Sequence, residues 1–168
     1  MQIKIFTTGG TIDKIYFDRL SEFQVGEPQV GDVLREANVS FEFQVEPILH
    51  KDSLDLTQSD RQLIFERVLA DPHRHVVITH GTDTMIETAL LLRGMPRKVI
   101  VLTGSMSPAR FRNTDAVFNI GCAIVAVQLL EEGVYIVMNG RVFKPDRLRK
   151  NRENLQFEED KIVNSALE

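Results

Sequence analysis

The run Ile3-Lys4-Ile5-Phe6-Thr7-Thr8-Gly9-Gly10-Thr11-Ile12-Asp13 decides how the chain is read. Apolar residues lead into two threonines, two glycines and a third threonine, the pattern of a buried strand breaking into a tight loop. Gly9 and Gly10 accept φ > 0, so the loop can turn sharply and let another group close to its backbone. Thr11 stands at the mouth of that loop, where a hydroxyl is either a helix cap or a nucleophile. For a lone Gly-Gly-Thr the cap is the default. The run is not a phosphate loop, because it lacks the Gly-Lys-Ser/Thr ending, and it lacks the third glycine of the dinucleotide fingerprint.

Outward from this loop, strands alternate with helices. Strand one covers 2–7, and 8–28 is a long polar segment without a clear period, which suits a functional lid. A short helix is expected over 30–37, and a strand over Phe41 to Glu46 that ends at Pro47. The polar loop His50-Lys51-Asp52-Ser53 follows, then a helix over 58–70 capped by Thr57 or Ser59, with Leu63, Ile64, Val68 and Leu69 inward. Val76-Val77-Ile78 is the third strand, with Asp83 as N-cap of a helix over 84–93. Val99 to Leu102 is the fourth strand. A helix over 114–130 carries Val117, Ile120, Ile124 and Val127 on one face and is closed by Gly133. Val134 to Met138 is the fifth strand, and the tail from Glu153 packs lightly.

Strands three to five are continuous apolar runs, as expected where helices cover both faces of a parallel sheet. The expected fold is therefore α/β: one domain with a doubly wound, mostly parallel sheet, flavodoxin-like or Rossmann-like. In such sheets ligands bind beyond the carboxyl ends of the strands. The Gly/Thr/Ser loops after strands one, three and four would all lie on that edge, with Asp52-Ser53 beyond strand two.

Composition narrows the classes. The 168 residues suffice for one domain with a proper core, and 43% hydrophobic with 26% charged content is ordinary for a globular protein. A formal charge of −4 argues against nucleic acid as the main partner. Cys122, the single cysteine, permits no internal disulfide, fits a reducing, cytoplasmic compartment and reads as packed in its helix. Residues 1–12 do not read as a signal peptide, and no apolar run of membrane-spanning length occurs.

The second loop, His80-Gly81-Thr82-Asp83-Thr84, bears on the first. A threonine hydroxyl is a weak nucleophile and needs a neighbouring carboxylate or basic group. Thr82 and Asp83 follow a buried strand and should project toward the first loop. His80 has no Cys or His partner at metal spacing and reads as structural. Lys150 lies among Arg141, Lys144, Arg147, Arg149 and Arg152, whose default reading is a solvated face.

Together the two loops, Thr8-Gly9-Gly10-Thr11-Ile12 and Ile78-Thr79-His80-Gly81-Thr82-Asp83-Thr84-Met85, resemble the signature motifs of the bacterial-type L-asparaginase family. The resemblance extends through Lys51-Asp52-Ser53-Leu54-Asp55, Val101-Leu102-Thr103-Gly104-Ser105-Met106 and Met138-Asn139-Gly140-Arg141. It covers about residues 2–150, the family's N-terminal catalytic domain. It implies hydrolysis of the side-chain amide of asparagine, and of glutamine more slowly, through an acyl-enzyme. It also implies Thr11 as nucleophile and a second group of Thr82, Asp83 and Lys150. Asp52, Ser53, Thr82 and Asp83 would bind the substrate, Ser53 at its α-carboxylate and Asp83 at its α-amino group. No cofactor and no metal is implied.

Two departures from the family pattern stand out. The chain ends where the family's C-terminal domain would begin, so it reads as the short, single-domain form of the family or as a piece of a longer protein. Either implies weaker affinity for asparagine, and a homodimer or higher homo-oligomer held by apolar helix faces is expected. The lid tyrosine of the Tyr-x-x-Gly arrangement is replaced in Phe23-Gln24-Val25-Gly26, so Tyr16 is expected to supply the hydroxyl beside Thr11. Two other readings stay open: an ammonia-supplying component of a larger amidotransferase, and a non-catalytic amino-acid-binding domain.

Overall fold

The computed structural model describes residues 1–17 and 22–159. β1 (Gln2–Gly9) lies inside a six-stranded sheet, between β4 (Glu42–Lys51) and β5 (His75–Thr79). β6 (Val99–Thr103), β7 (Gly133–Met138) and β8 (Arg141–Phe143) complete the order β4-β1-β5-β6-β7-β8. All pairings are parallel except β7 with β8. This is the doubly wound topology with its switch point at β1, where the chain first builds to one side and then to the other.

Strand alternation divides the core. Ile3 and Ile5 point to one face, where they join Val30 and Leu34 of α1 (Val30–Glu36) and Ile120, Ala123 and Val127 of α4 (Ala116–Leu129). Phe6 points to the other, with Ile64 and Val68 of α2 (Gln58–Ala70) and Met85 and Ala89 of α3 (Met85–Leu91). Both faces of the sheet are covered, which is why its strands read as continuous apolar runs.

Several expected boundaries shift, each for a physical reason. β4 does not stop at Pro47 but runs on to Lys51. It is the sheet's edge strand, where a residue without an N–H costs no ladder bond. Thr57 caps α2 in a reciprocal capping box with Asp60. Leu63 and Leu69 do not face inward; they stand 38% and 50% exposed. Asp83 is not the cap of α3: that place is taken by Thr84, and the Asp83 carboxylate turns to Lys150. Val117 lies on the outer side of α4, and Gly133 opens β7 instead of closing the helix.

The 8–28 segment is not irregular throughout. A 3₁₀ turn at Thr11–Asp13 leads into an antiparallel hairpin of β2 (Lys14–Phe17) and β3 (Glu22–Val25), closed where the Gly26 N–H donates to the Asp13 carbonyl. At the other end, β9 (Leu148–Asn151) and β10 (Gln156–Glu159) form a second hairpin. The tail therefore does not simply pack lightly from Glu153: Phe157 is 2% exposed and seats β10 in the core. The rest of that expectation, residues 160–168, lies outside the described residues. No helix among the described residues is long and apolar enough to cross a membrane.

Candidate active site

Thr7, Thr79 and Thr103 are aligned in register across β1, β5 and β6, so the three strands end at one level. Their loops must then meet. A Cβ on Gly10, whose φ is 91°, would come within 2.5 Å of the Gly81 Cα and N. A Cβ on Gly81 would come within 2.5 Å of Ser53 Cβ and Oγ. The loops after β1, β5 and β4 touch this closely because glycine alone leaves the space. Thr11 and Thr82 are each one residue past such a contact.

Thr11 is not a cap. Gly10 holds the N-cap position of the 3₁₀ turn, with no side-chain cap bond, and Thr11 is the first residue of the turn. It is half-buried, and among the described residues no side chain hydrogen-bonds to its hydroxyl. Thr82 has the opposite setting. It is buried, and its Oγ1 accepts from Lys150 Nζ at 2.7 Å while donating weakly to Met106 Sδ at 3.7 Å. Lys150 also donates to Asp83 Oδ1 at 2.9 Å. Arg152 Nη2 lies 3.5 Å from that same Oδ1.

The strand geometry explains how Lys150 leaves its basic cluster. Along β9, Leu148 and Lys150 share one face and Arg149 takes the other. Leu148 is buried in the core, Lys150 pairs across the hairpin with buried Phe157, and Arg149 turns outward to Glu158. Two neighbouring cations are engaged as well: Arg141 with Glu159, and Lys144 over the Tyr135 ring.

On the other side of Gly81, Ser53 is buried with its Oγ lacking a partner, while its carbonyl accepts from Thr84 Oγ1 at 2.8 Å. Asp52 receives Lys14 Nζ at 2.6 Å. Burial pushes the Asp52 carboxyl up, but Lys14 and the N–H groups of Leu54 and Ser53 outweigh it and hold it below the usual range. Tyr16 stands on β2, two residues from Lys14 and on the same strand face. It is half exposed, its ring meets Phe23 edge-on at 5.5 Å, and its hydroxyl makes no hydrogen bond to Thr11.

Two buried titratable groups support these loops. His80 is fully enclosed, and its Nδ1 lies 2.7 Å from the Gly81 carbonyl and its Nε2 2.9 Å from Thr88 Oγ1. A carbonyl can only accept, so Nδ1 carries the proton and Nε2 accepts from Thr88. Burial depresses the imidazole to about 4, keeping it neutral. Asp13 is buried two residues past Thr11 and accepts from Gln29 N–H at 2.9 Å. Burial raises its carboxyl to about 7. Lys14 and Arg152 escape a reading by motif, since neither lies in a loop signature, and Asp13 and Thr84 stand inside the quoted loops without a chemical pattern that singles them out. Only the i, i+2 spacing of Leu148, Lys150 and Arg152 hints at one of them. Cys122 sits half-buried on α4, apart from this constellation.

The sequence and the fold can be set beside known proteins. The family model described as Asparaginase, N-terminal, matches residues 2–157. An L-asparaginase of Bacillus licheniformis is 30% identical over 171 residues, covering 92% of this chain and 52% of that protein. The solved structure of the thermostable L-asparaginase from Thermococcus kodakarensis superposes with a TM-score of 0.82 at 27% identity, over 95% of this chain and 51% of the other. One component of the glutamyl-tRNA(Gln) amidotransferase of Methanococcus vannielii is 41% identical over 69 residues, 40% of this chain and 16% of that protein. The chain thus spans about half the length of the asparaginases it matches. With the family model covering nearly the whole chain and both glycine loops meeting at one sheet edge, the chain belongs to the asparaginase family and matches the N-terminal domain of its members.

Proposed function

We propose that the protein is an amidohydrolase that converts L-asparagine to L-aspartate and ammonia, with glutamine as a weaker substrate. The observation that carries this reading is the Thr82–Lys150–Asp83 network beside a free Thr11 hydroxyl. A binding pocket needs no lysine donating to a buried threonine, whereas amide cleavage needs negative charge stabilised on oxygen.

In this reading residues 1–168 form one catalytic domain. The Thr11 oxygen adds to the substrate's side-chain carbonyl carbon and loses its proton to the departing nitrogen. The C–N bond breaks, ammonia leaves and an ester to Thr11 remains. Water then adds to that ester, the ester C–O bond breaks, and aspartate and the free hydroxyl are regenerated. Lys150, donating to Thr82 Oγ1, lowers the cost of negative charge there, so that Thr82 can activate the water. Asp83 holds Lys150 in place. Backbone N–H groups of the second loop face the developing oxyanion. Tyr16 approaches Thr11 when the β2–β3 hairpin closes as a lid. Asp52 and Ser53 hold the substrate's carboxylate end, Asp52 by orienting Lys14.

Ammonia release from asparagine by the purified chain tests the reading. Thr11→Val and Lys150→Met are expected to lower kcat by about 10²–10⁴-fold, the range of a lost nucleophile or proton-transfer group. Tyr16→Phe is expected to lose about tenfold. Full activity in Thr11→Val would remove the nucleophile assignment, and full activity in Tyr16→Phe would remove Tyr16.

The partial match to an amidotransferase component favours a second reading, an ammonia supplier within a larger assembly. The basic stretch 141–152 offers RNA little, because Arg141, Arg149, Lys150 and Arg152 are already paired with acids. We also infer self-association through the outer face of α4.

A further inference from the structure

We propose that Asn139, anchored by the buried Asn119, is a positioning residue that sets Lys150 against Thr82. It rests on the amidase reading, in which turnover needs the Thr82–Lys150 bond.

The two partners arrive on separate parts of the chain. Thr82 stands in the loop after β5 and Lys150 on β9, so nothing local to either fixes the 2.7 Å between them. Asn119 of α4 is buried, and its whole amide is engaged. Its Nδ2 donates to the Gly104 carbonyl at 3.1 Å and to Asp115 Oδ2 at 3.0 Å, and its Oδ1 accepts the Asn139 N–H at 3.2 Å. Gly104 lies against the second glycine loop: a Cβ there would come within 2.3 Å of the His80 carbonyl oxygen. Asp115 accepts the Met106 N–H at 2.9 Å, and Met106 Sδ is the weak acceptor of the Thr82 hydroxyl. One end of this joint is thus fixed to the loops that hold Thr82.

The other end is fixed to the hairpin that carries Lys150. Asn139 Oδ1 accepts the Phe157 N–H at 3.3 Å, and Phe157 stands opposite Lys150 in the β9–β10 pairing. Asn139 and Gly140 form the two-residue turn between β7 and β8, with φ of 55° and 74°. That conformation accounts for Asn or Gly at 139 on backbone grounds alone. It does not account for a side chain that reaches β10. The two roles separate by substitution, because glycine keeps the turn and removes the acceptor.

Exposure sets the size of the effect. Asn139 is exposed, so its bond to β10 competes with water and contributes modestly. A small displacement of Lys150 from Thr82 then costs about fivefold in rate, not the whole activity.

The test measures kcat and KM for ammonia release from L-asparagine by the full chain in wild type, Asn139→Gly and Asn139→Asp. The aspartate variant keeps an oxygen that accepts from Phe157. The expected result is a kcat about fivefold lower in Asn139→Gly, KM within about twofold, and kcat restored in Asn139→Asp. Full kcat in folded Asn139→Gly overturns the proposal, and so does an equal loss in both variants. If no form releases ammonia, the amidase reading fails, and the acetylation rate of Lys150 under brief acetic anhydride treatment, read by peptide mass, still decides the positioning. A rate about fivefold above wild type in Asn139→Gly, and not in Asn139→Asp, supports it. An unchanged rate in Asn139→Gly overturns it.

Discussion

A carboxyl group buried next to the candidate nucleophile pays for its position in charge state. Asp13 has chiefly the Gln29 N–H to set against desolvation, so its pKa rises to about 7. The folded state keeps the Asp13 proton between the ordinary carboxylate value and about 7, while the unfolded chain releases it. Stability from this group is complete below about pH 4 and falls as pH rises to about 7. His80 runs the other way: its depressed pKa costs stability as pH falls from about 6.5 toward 4. Asp13→Asn separates the two, since it keeps the acceptor for Gln29 and removes the ionisation. The variant's stability relative to wild type should improve by about 3 kcal/mol between about pH 5 and pH 8. Denaturant unfolding at the two pH values measures this, and a pH-independent difference would show that Asp13 stays ionised in the folded state.

The β9–β10 hairpin does at the level of an element what no single residue of the basic stretch can do. Leu148 and Phe157 bury one face of it, and Lys150 rides on that face to Thr82. Phe157→Ala should cost about 3–5 kcal/mol, the range for emptying a buried aromatic site. Because Phe157 is cross-strand from Lys150, activity should fall as well, in protein that remains folded. Far-ultraviolet circular dichroism with an ammonia assay on the same sample checks both, and full activity in a folded variant would detach the hairpin from catalysis. This coupling is invisible to charge patterning, which assigns Arg149, Lys150 and Arg152 one solvated surface. Strand alternation sends Arg149 to Glu158 and Lys150 inward to Asp83.

For the molecule as a whole, the outer face of α4 is an extended, exposed apolar surface. Val117, Phe118, Val125 and Leu129 are 54–79% exposed along a helix without a charged side chain. Arg112 and Arg141 flank its N-terminal end and Glu131 and Glu132 its C-terminal end. Two copies related by a two-fold axis would lay these helices antiparallel, pairing apolar stripe with apolar stripe and basic end with acidic end. Size-exclusion chromatography with light scattering should therefore give a dimer, and Val125→Glu a monomer. A wild-type monomer at tens of micromolar would discard this interface.

Much of this protein could be read from residues in line. The apolar runs ending in Gly9-Gly10-Thr11 and Gly81-Thr82-Asp83 specify parallel strands and place their loops on one sheet edge, because strand burial and glycine backbone freedom are local properties. The family likeness rests on the same two loops. The tertiary structure alone decided that Thr11 is free of capping duty, that Asp83 serves Lys150 and not α3, and that Lys14 and Arg152 join the site. Those outcomes depend on which carboxylate a long, flexible cation reaches across strands far apart in sequence. That is a matter of distance and burial, on which linear spacing carries no information.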